Sequence, residues 1–458
     1  MDVGIDAPVR EHEAVGDSGG SAPVVTGGLP PGPRLPAIGQ TLLWAFAPAW
    51  FMDTCASRLG DMFTVTFAPS GVRLVMVSDP QAVKTLFTAS KAALSGGSES
   101  PVAAVMGPNS IIVLTGPAHM RQRKLLLPPF HGERMHGYEQ ITVQATERDM
   151  AMWPIGEPDS FHPHSRAITL EVILRAVFGM EAERLDTLRD ALEGLIQAPS
   201  SLALLRRAMR PPTVAFNAAV GRVDDLIYSE IANRRERSDL AEQTDILSML
   251  LLARTEDGEA MSDVELRDEL VTLLVAGHDT TATSLAWALE RLVRHPPELA
   301  RLTAEIDAGA SDEYLMAVIN ETLRVRPVVP RAGRVLAEPL RVGSYELPAG
   351  TIILVSIYLT NRDPRIYPDP DAFRPERFLE NAPETFSWIP FGGGIRRCIG
   401  AAFAQHEMKL ILRTVLREME PSAPSGRRWR GGEPIRRRGT TLAPAGGAQV
   451  VWRRRPGA

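Results

Sequence analysis

Cysteine is nearly missing from this chain, with two in 458 residues. Cys55 and Cys398 cannot build a disulfide scaffold, so a reducing compartment is the simpler reading. Long hydrophobic runs are missing too. The most apolar early stretch, Leu42 to Met52, is interrupted by Pro48 and is too short to span a bilayer. The first twenty residues are polar and acidic and lack a basic n-region, so no signal peptide is expected. A cytoplasmic protein without a membrane anchor is expected. Charge of one sign is not in excess either. The formal net charge of -5 argues against a general nucleic-acid binder. No internal repeat appears. What remains, 44% hydrophobic and 23% charged, is ordinary for a soluble globular protein large enough to bury a substantial core.

Residues 1–28 have the Gly/Ser-rich, polar composition of a disordered tail, and 29–458 carry the folded domain. Leu29-Pro30-Pro31-Gly32-Pro33-Arg34 is a stiff entry segment. Phe63 to Phe67 alternates with period two, Ala68 to Gly71 is a turn, and Val72 to Val77 is a second strand, which together predict a hairpin. Val83 to about Arg237 reads as mostly helical, broken at Pro128-Pro129 and Pro211-Pro212. Ser262-Asp263-Val264-Glu265 is a capping box. It opens a helical pattern that runs to His295 and stops at Pro296-Pro297. At about 1.5 Å per residue that is roughly 50 Å, enough to cross most of the molecule. A shorter helix is predicted from about Asp312 to Val325, strands at 340–347 and 351–357, and a helix from about Ala401 to Arg417. A Pro-rich stretch, 361–390, has little periodicity. Thr440 to Val451 reads as a hairpin turning at Pro444-Ala445-Gly446-Gly447. That hairpin favours a structural role for the nearby arginine clusters (427–430, 436–438, 453–455) over a nucleic-acid or membrane patch.

Chemistry concentrates in four segments. Cys398 lies in Phe391-Gly392-Gly393-Gly394-Ile395-Arg396-Arg397-Cys398-Ile399-Gly400. A thiol framed by glycines, with a cation two residues upstream, is set up to be a thiolate. Glycine lets backbone approach a large flat ligand. Iron held by such a sulfur receives electron push that favours O–O cleavage, so this loop points to a haem-thiolate oxygenase. Ala276-Gly277-His278-Asp279-Thr280-Thr281 falls in the middle of the long helix, where small and polar residues are poor helix formers. A hydroxyl at Thr280 can bond the carbonyl of Ala276 and open the helix beside a small ligand. Asp279 next to Thr280 is either a proton-delivery pair or a solvated acid at a helix kink. Glu321 and Arg324 share a helix face, and with Arg377 they either form a buried network that pins the loop before Cys398 or are surface ion pairs. His119 and Arg123 share another face. These two, with Arg334 and Arg396, are either solvated cations or the partners of two buried haem carboxylates. Cys55 reads as an inert core thiol.

Taken together, the segments resemble the cytochrome P450 superfamily. The cysteine loop matches F-x-x-G-x-R-x-C-x-G, the helix matches A-G-x-D-T-T, and Glu321 with Arg324 matches E-x-x-R, in the family's order, and the resemblance extends from about Pro30 to Trp452. It implies a mainly α fold with a small β region, a single-domain prism with a long central helix. It implies that Cys398 is the axial thiolate ligand of haem b iron and that Asp279 and Thr280 deliver protons to dioxygen. Ala276, Phe391 and Gly400 would line the cofactor. His119, Arg123, Arg334 and Arg396 would meet its propionates, and Glu321, Arg324 and Arg377 would form the structural triad. The activity implied is a monooxygenase that inserts one oxygen atom from O2 into an apolar small molecule. Two cysteines cannot ligate an iron–sulfur cluster, so NAD(P)H-derived electrons would come from outside, through a ferredoxin and its NAD(P)H-dependent reductase. A docking face near Arg397, Lys124, Lys409 and Arg413 is expected, unless these are ordinary solvated charges. A peroxide-using or desaturating relative and a haem-binding sensor are the other readings. Substrate choice would rest on residues around 94–110, 195–215, 272–281, 328–333 and 440–442.

Overall fold

A computed structural model describes residues 25–26, 28–89, 94–95, 103–130, 132–179, 187–188, 190–191, 214–309, 311–381, 383–426 and 432–456. Nearly all of the tail 1–28, the Pro211-Pro212 break and the arginine cluster at 427–430 lie outside the described residues. The chain forms two compact units.

The first unit draws on residues up to Gly97, Val329–Asp371 and Pro383–Arg397, and it holds most of the β structure. The predicted hairpin is present as Met62–Phe67 paired antiparallel with Val72–Val77. Strand Ile352–Ser356 adds to it in parallel, followed by Arg331–Leu336 and Leu94–Ser95, giving five strands. The strand Arg331–Leu336 was not legible, because its partners are distant in sequence and its own residues do not alternate cleanly. The segment 340–347 is two short strands, Leu340–Val342 and Tyr345–Leu347, folded back at Gly343 with φ 57°. Val25–Thr26 pairs in parallel beside them. Val75, Val77, Ile353 and Val355 pack with Ala82, Val83, Leu86 and Phe87 of the helix Pro80–Thr88. That helix starts where the Asp79 carboxylate accepts from the Ala82 N–H at 2.8 Å.

The second unit, 98–328, 372–382 and 398–458, is mainly helical. Its long helix, Asp263–Leu292, opens with the predicted capping box: Ser262 Oγ accepts from Glu265 N, and the Glu265 carboxylate accepts from Ser262 N at 2.8 Å. The helix ends at Leu292, short of the expected His295. Pro296 opens a separate helix, Pro296–Ala308, because a first-turn position asks no N–H of proline. Helix Phe161–Phe178 lies along the long helix, and both are buried on most sides. The other predicted helices are Glu313–Val325 and Ala401–Glu418. The expected hairpin from Thr440 to Val451 is corrected. Ile435–Arg438 pairs with Thr441–Pro444, while Gln449–Arg454 joins Met419–Ser422 and Pro158–Ser160 in another sheet. Long-range bonds decide this: Leu442 N donates to Val328 O, and Leu442 O accepts from Trp287 Nε1, both at 2.8 Å. Gly446-Gly447 therefore carries the chain between sheets instead of closing a hairpin.

Candidate functional site

In the first unit, the loop leading to Cys398 is pressed onto the helix Pro80–Thr88. A Cβ at Gly393 would strike the Phe87 ring, and one at Gly394 the Phe87 carbonyl. Gly394 also holds φ 65°, a region that favours glycine. Phe391 sits edge-on to Trp388, with ring centroids 6.2 Å apart. Arg334, buried on its strand, donates to the carbonyls of Gly333 at 2.7 Å and Gly393 at 3.4 Å, and lies 5.5 Å from the Phe87 ring centroid. Burial, reinforced by the like charge of Arg396, brings the Arg334 pKa down to about 10. Burial lowers Arg396 as well. Two guanidiniums thus share a desolvated place, and no carboxylate among the described residues forms an ion pair with Arg334.

In the second unit, Cys398 is exposed and lies two residues before Gly400, the N-cap of Ala401–Glu418. Gly400 has φ -87° and open space around it, so the backbone itself does not demand glycine there. On the long helix, Thr280 Oγ1 donates to Ala276 O at 2.7 Å and Thr281 Oγ1 to Gly277 O at 3.0 Å. The helix runs without a break from Asp263 to Leu292 through these back-bonds. Gly277 permits close packing, since a Cβ there would stand 3.3 Å from Ile173 Cδ1.

Asp279 is not a solvated acid. Its Oδ1 is 3.2 Å from Arg166 Nε, which projects from Phe161–Phe178. The same helix supplies two more polar groups. Thr169 Oγ1 is 3.1 Å from His278 Nδ1, and His162 Nε2 is 3.2 Å from Thr283 Oγ1. Arg438 Nη1 approaches His162 Nδ1 at 3.4 Å. His278 Nε2 is buried without a hydrogen-bond partner among the described residues. Burial lowers both histidine pKa values to about 4; Arg166 and Arg438 push the same way and Asp279 opposes. Both imidazoles are therefore neutral near pH 7, which leaves Arg166 as the cation facing Asp279. His162, Arg166 and Thr169 carry no motif. Their recurrence at helical spacing was the available signal, obscured by His164, Ser165, Glu171 and Arg175 on the same helix.

Glu321, Arg324 and Arg377 come together. Arg324 grips Glu321 with two bonds, Nε to Oε2 at 2.7 Å and Nη2 to Oε1 at 2.8 Å, with both side chains fully buried. Arg324 Nη2 also donates to Ala372 O at 3.0 Å, Arg374 N donates to Glu321 Oε1 at 2.8 Å, and Arg377 Nε stands 3.5 Å from Glu321 Oε1. The aperiodic stretch is thereby tied to helix Glu313–Val325. His119 is buried and Arg123 half-buried on helix Gly116–Leu126. Of the expected docking cations, Arg397 is exposed, Lys124 pairs with Glu256 at 2.8 Å, and Lys409 and Arg413 both pair with Asp312. Sequence reasoning also missed Glu269 and Glu407, buried carboxyls whose pKa burial raises, that of Glu269 to about 9.

The model of the family Cytochrome P450 matches residues 29–431. The chain belongs to the cytochrome P450 family. It is 40% identical over 437 residues to cytochrome P450 135B1 of Mycobacterium tuberculosis, covering 92% of this chain and 91% of that protein. It is 39% identical over 449 residues to cytochrome P450 137 of the same organism, covering 94% and 92%. Among solved structures, retinoic acid-bound cyanobacterial CYP120A1 aligns with TM-score 0.80 and 25% identity over 93% of this chain and 99% of that one. The cytochrome P450DA haem domain aligns with TM-score 0.83 at 23% identity, over 95% and 99%, and shows the shared fold. As a P450, the protein is a monooxygenase oxidoreductase of mainly α fold with a small β region, and it works with haem, O2 and reducing equivalents from a redox partner. No helix among the described residues is long and apolar enough to cross a membrane.

Proposed function

We propose that this P450 inserts one atom of O2 into an apolar small molecule, by hydroxylation or epoxidation, and that the Cys398 sulfur would hold the iron of haem b. The observation that carries this reading is the desolvated guanidinium of Arg334, which forms no ion pair with a carboxylate among the described residues and is held against the glycine loop that leads to an exposed thiol. Buried cations of this kind call for anions, and haem brings two carboxylates. The donor set fits: a sulfur ligand, a backbone surface kept free of Cβ atoms, and cations. His119 and Arg123 would add to the propionate partners, with Ala276, Phe391 and Gly400 against the ring. Residues 29–458 would form the catalytic domain, behind a disordered tail of residues 1–28.

When bound, haem supplies the activation of dioxygen and the oxygen transfer. The chain's own residues position substrate and control protons. Arg166 Nε faces the Asp279 carboxylate at 3.2 Å. With that contact released, Asp279 would relay a proton from solvent to Thr280 Oγ1 as Thr280 turns its own hydroxyl hydrogen from Ala276 O and hands it on into the pocket, so that neither residue ends with an extra proton. The neutral His162 and His278 add no charge beside it. Electrons would arrive from NAD(P)H through a ferredoxin and its reductase in the cytoplasm. An acidic ferredoxin would compete with Glu256 for Lys124 and with Asp312 for Lys409 and Arg413. Substrate contacts are assigned to 272–281, 328–333 and 440–442, and to 94–110 and 195–215, much of which lies outside the described residues.

The test is spectroscopic. Cys398→Ala should abolish the red-shifted reduced-CO band of haem-thiolate proteins; retention of that band would show that another residue binds iron. Thr280→Ala should keep substrate binding but divert electrons to hydrogen peroxide. Unchanged coupling between NAD(P)H consumption and product would remove Thr280 from proton delivery.

A further inference from the structure

The strand Ile435–Arg438 ends in three consecutive arginines, which a strand cannot place alike, because successive side chains point to opposite faces. Arg436 and Arg438 share one face and are exposed, and Arg438 turns to His162. Arg437 takes the other face and is half-buried. The register sets Arg437 opposite Leu442 and Ile435 opposite Pro444, so these four side chains lie together, and Leu442 and Pro444 are buried. Only Gly439 and Thr440 separate the paired residues Arg438 and Thr441. Gly439 holds φ 60°, as a two-residue hairpin loop asks of its first position. The turn is therefore closed by its own backbone.

Arg437 Nε donates to Gly439 O at 2.9 Å, which lays the guanidinium beside the tip of the hairpin. Nothing among the described residues uses its Nη1 and Nη2, and no carboxylate there forms an ion pair with it. Burial lowers its pKa, with no charged neighbour to offset the loss of water. The chain pairs its other desolvated cations in this unit: Arg166 meets Asp279, and Arg267 meets Asp224 and Asp268. A buried cation without such a partner is costly. The chemistry of the gap identifies what fills it. Two terminal guanidinium nitrogens match the two oxygens of one carboxylate. One cation offsets one negative charge. A phosphate dianion would leave a second charge unpaired, because Arg436 and Arg438 face the other way. Residues 440–442 at the tip, and Val328, whose carbonyl holds Leu442, belong to the segments assigned above to substrate contact. The anion is then part of the substrate.

We propose that Arg437 is a specificity-determining residue that takes the carboxylate of an otherwise apolar monocarboxylic acid, so that the enzyme acts on amphiphilic acids in preference to neutral molecules of the same shape. The inference rests on the oxygen-insertion reading above and narrows its substrate class.

The test uses the full-length haem-loaded protein near pH 7, with calorimetric and Soret difference titrations. The probes are dodecanoate, 2-naphthylacetate and deoxycholate, each beside its methyl ester. The wild type should bind at least one acid about tenfold or more tightly than its ester. Arg437→Gln should erase that preference while leaving affinity for the ester within about twofold. Arg437→Lys keeps the charge without the fork and should restore part of it. The thermal midpoint and reduced-CO band of Arg437→Gln should match the wild type, so that misfolding is not the cause. No preference for any of the three acids would overturn the proposal. So would an acid preference that Arg437→Gln leaves intact. Parallel losses for acid and ester in that variant would also overturn it and assign Arg437 to the turn through Gly439 O. Heats of binding do not depend on the iron ligand. A wild type lacking the red-shifted band would thus refute the haem-thiolate reading, while the acid preference would still be decided by calorimetry.

Discussion

Arg324 and Arg334 are both buried guanidiniums, and the structure treats them in opposite ways. Arg324 has its counter-charge built in: Glu321 takes two of its N–H groups, and a backbone carbonyl takes another bond. Among the described residues, Arg334 hydrogen-bonds only carbonyls, and it faces a second cation. The histidines divide the same way. His164 lies between two acids, with Nδ1 2.7 Å from Asp149 Oδ1 and Nε2 2.8 Å from Asp159 Oδ2. His162 and His278 lie among guanidiniums with only Asp279 to oppose them. A polar group whose partner is in the chain belongs to the architecture. One whose partner is missing marks where the protein meets something else or moves a proton.

The largest effect should come from breaking a compensated pair. Arg324→Ala leaves the fully buried Glu321 with only the more distant Arg377 as a cation, at 3.5 Å, and should cost about 3–5 kcal/mol in chemical unfolding, with little haem-loaded protein recovered. Next is the pH response of the uncompensated histidines. Their folded pKa values near 4 lie below the unfolded value of about 6.5, so the unfolded chain binds more protons between those limits. Stability should be complete above about pH 6.5 and fall by up to roughly 3 kcal/mol per histidine as pH drops toward 4. The slope in thermal melts should be shallower in His162→Gln. Arg334→Gln should leave the haem-free chain as stable as before, or more so, because a desolvated cation is gone. It should also weaken haem binding by about thirtyfold, or roughly 2 kcal/mol, in haem-transfer titrations. Equal losses in the haem-free and haem-loaded forms would place Arg334 with Arg324 and break the comparison.

His164 should respond with the opposite sign. Burial alone would depress its pKa, but the bonds and charges of Asp149 and Asp159 together raise it. Its contribution is then complete below the unfolded value and is lost as pH rises through the higher folded value. His164→Gln should remove an alkaline decline in stability that is smaller than the acid one. At the low end, Lys124→Ala removes an exposed ion pair with Glu256 and should leave the melting curve unchanged. If ferredoxin docks there, only the salt dependence of electron-transfer rates should move.

Motifs whose spacing is local were legible. The capping box at Ser262, the back-bond of Thr280, the Glu321–Arg324 fork and the first hairpin all involve residues within a few positions of one another, and steric and hydrogen-bond rules act at that range. The end of the long helix was misjudged because a proline stops one helix and starts another equally well. The hairpin near the C-terminus was misplaced because Val328 and Trp287, both far away in sequence, hold Leu442 by its backbone. The partner of Asp279 was hidden for the same reason. Arg166 belongs to a helix over a hundred residues earlier, and nothing in its own neighbourhood distinguishes it from a solvated charge.

The order of residues by itself determined the family, the glycine-framed thiol and the long helix that carries an acid beside an alcohol. These depend on neighbouring residues, whose relations chain connectivity fixes. Only tertiary packing decided which charges are compensated: Asp279 by Arg166, Glu321 by two arginines, and Arg334 by no carboxylate among the described residues. Electrostatic free energy depends on burial and on distance through space, and neither is a property of position along the chain.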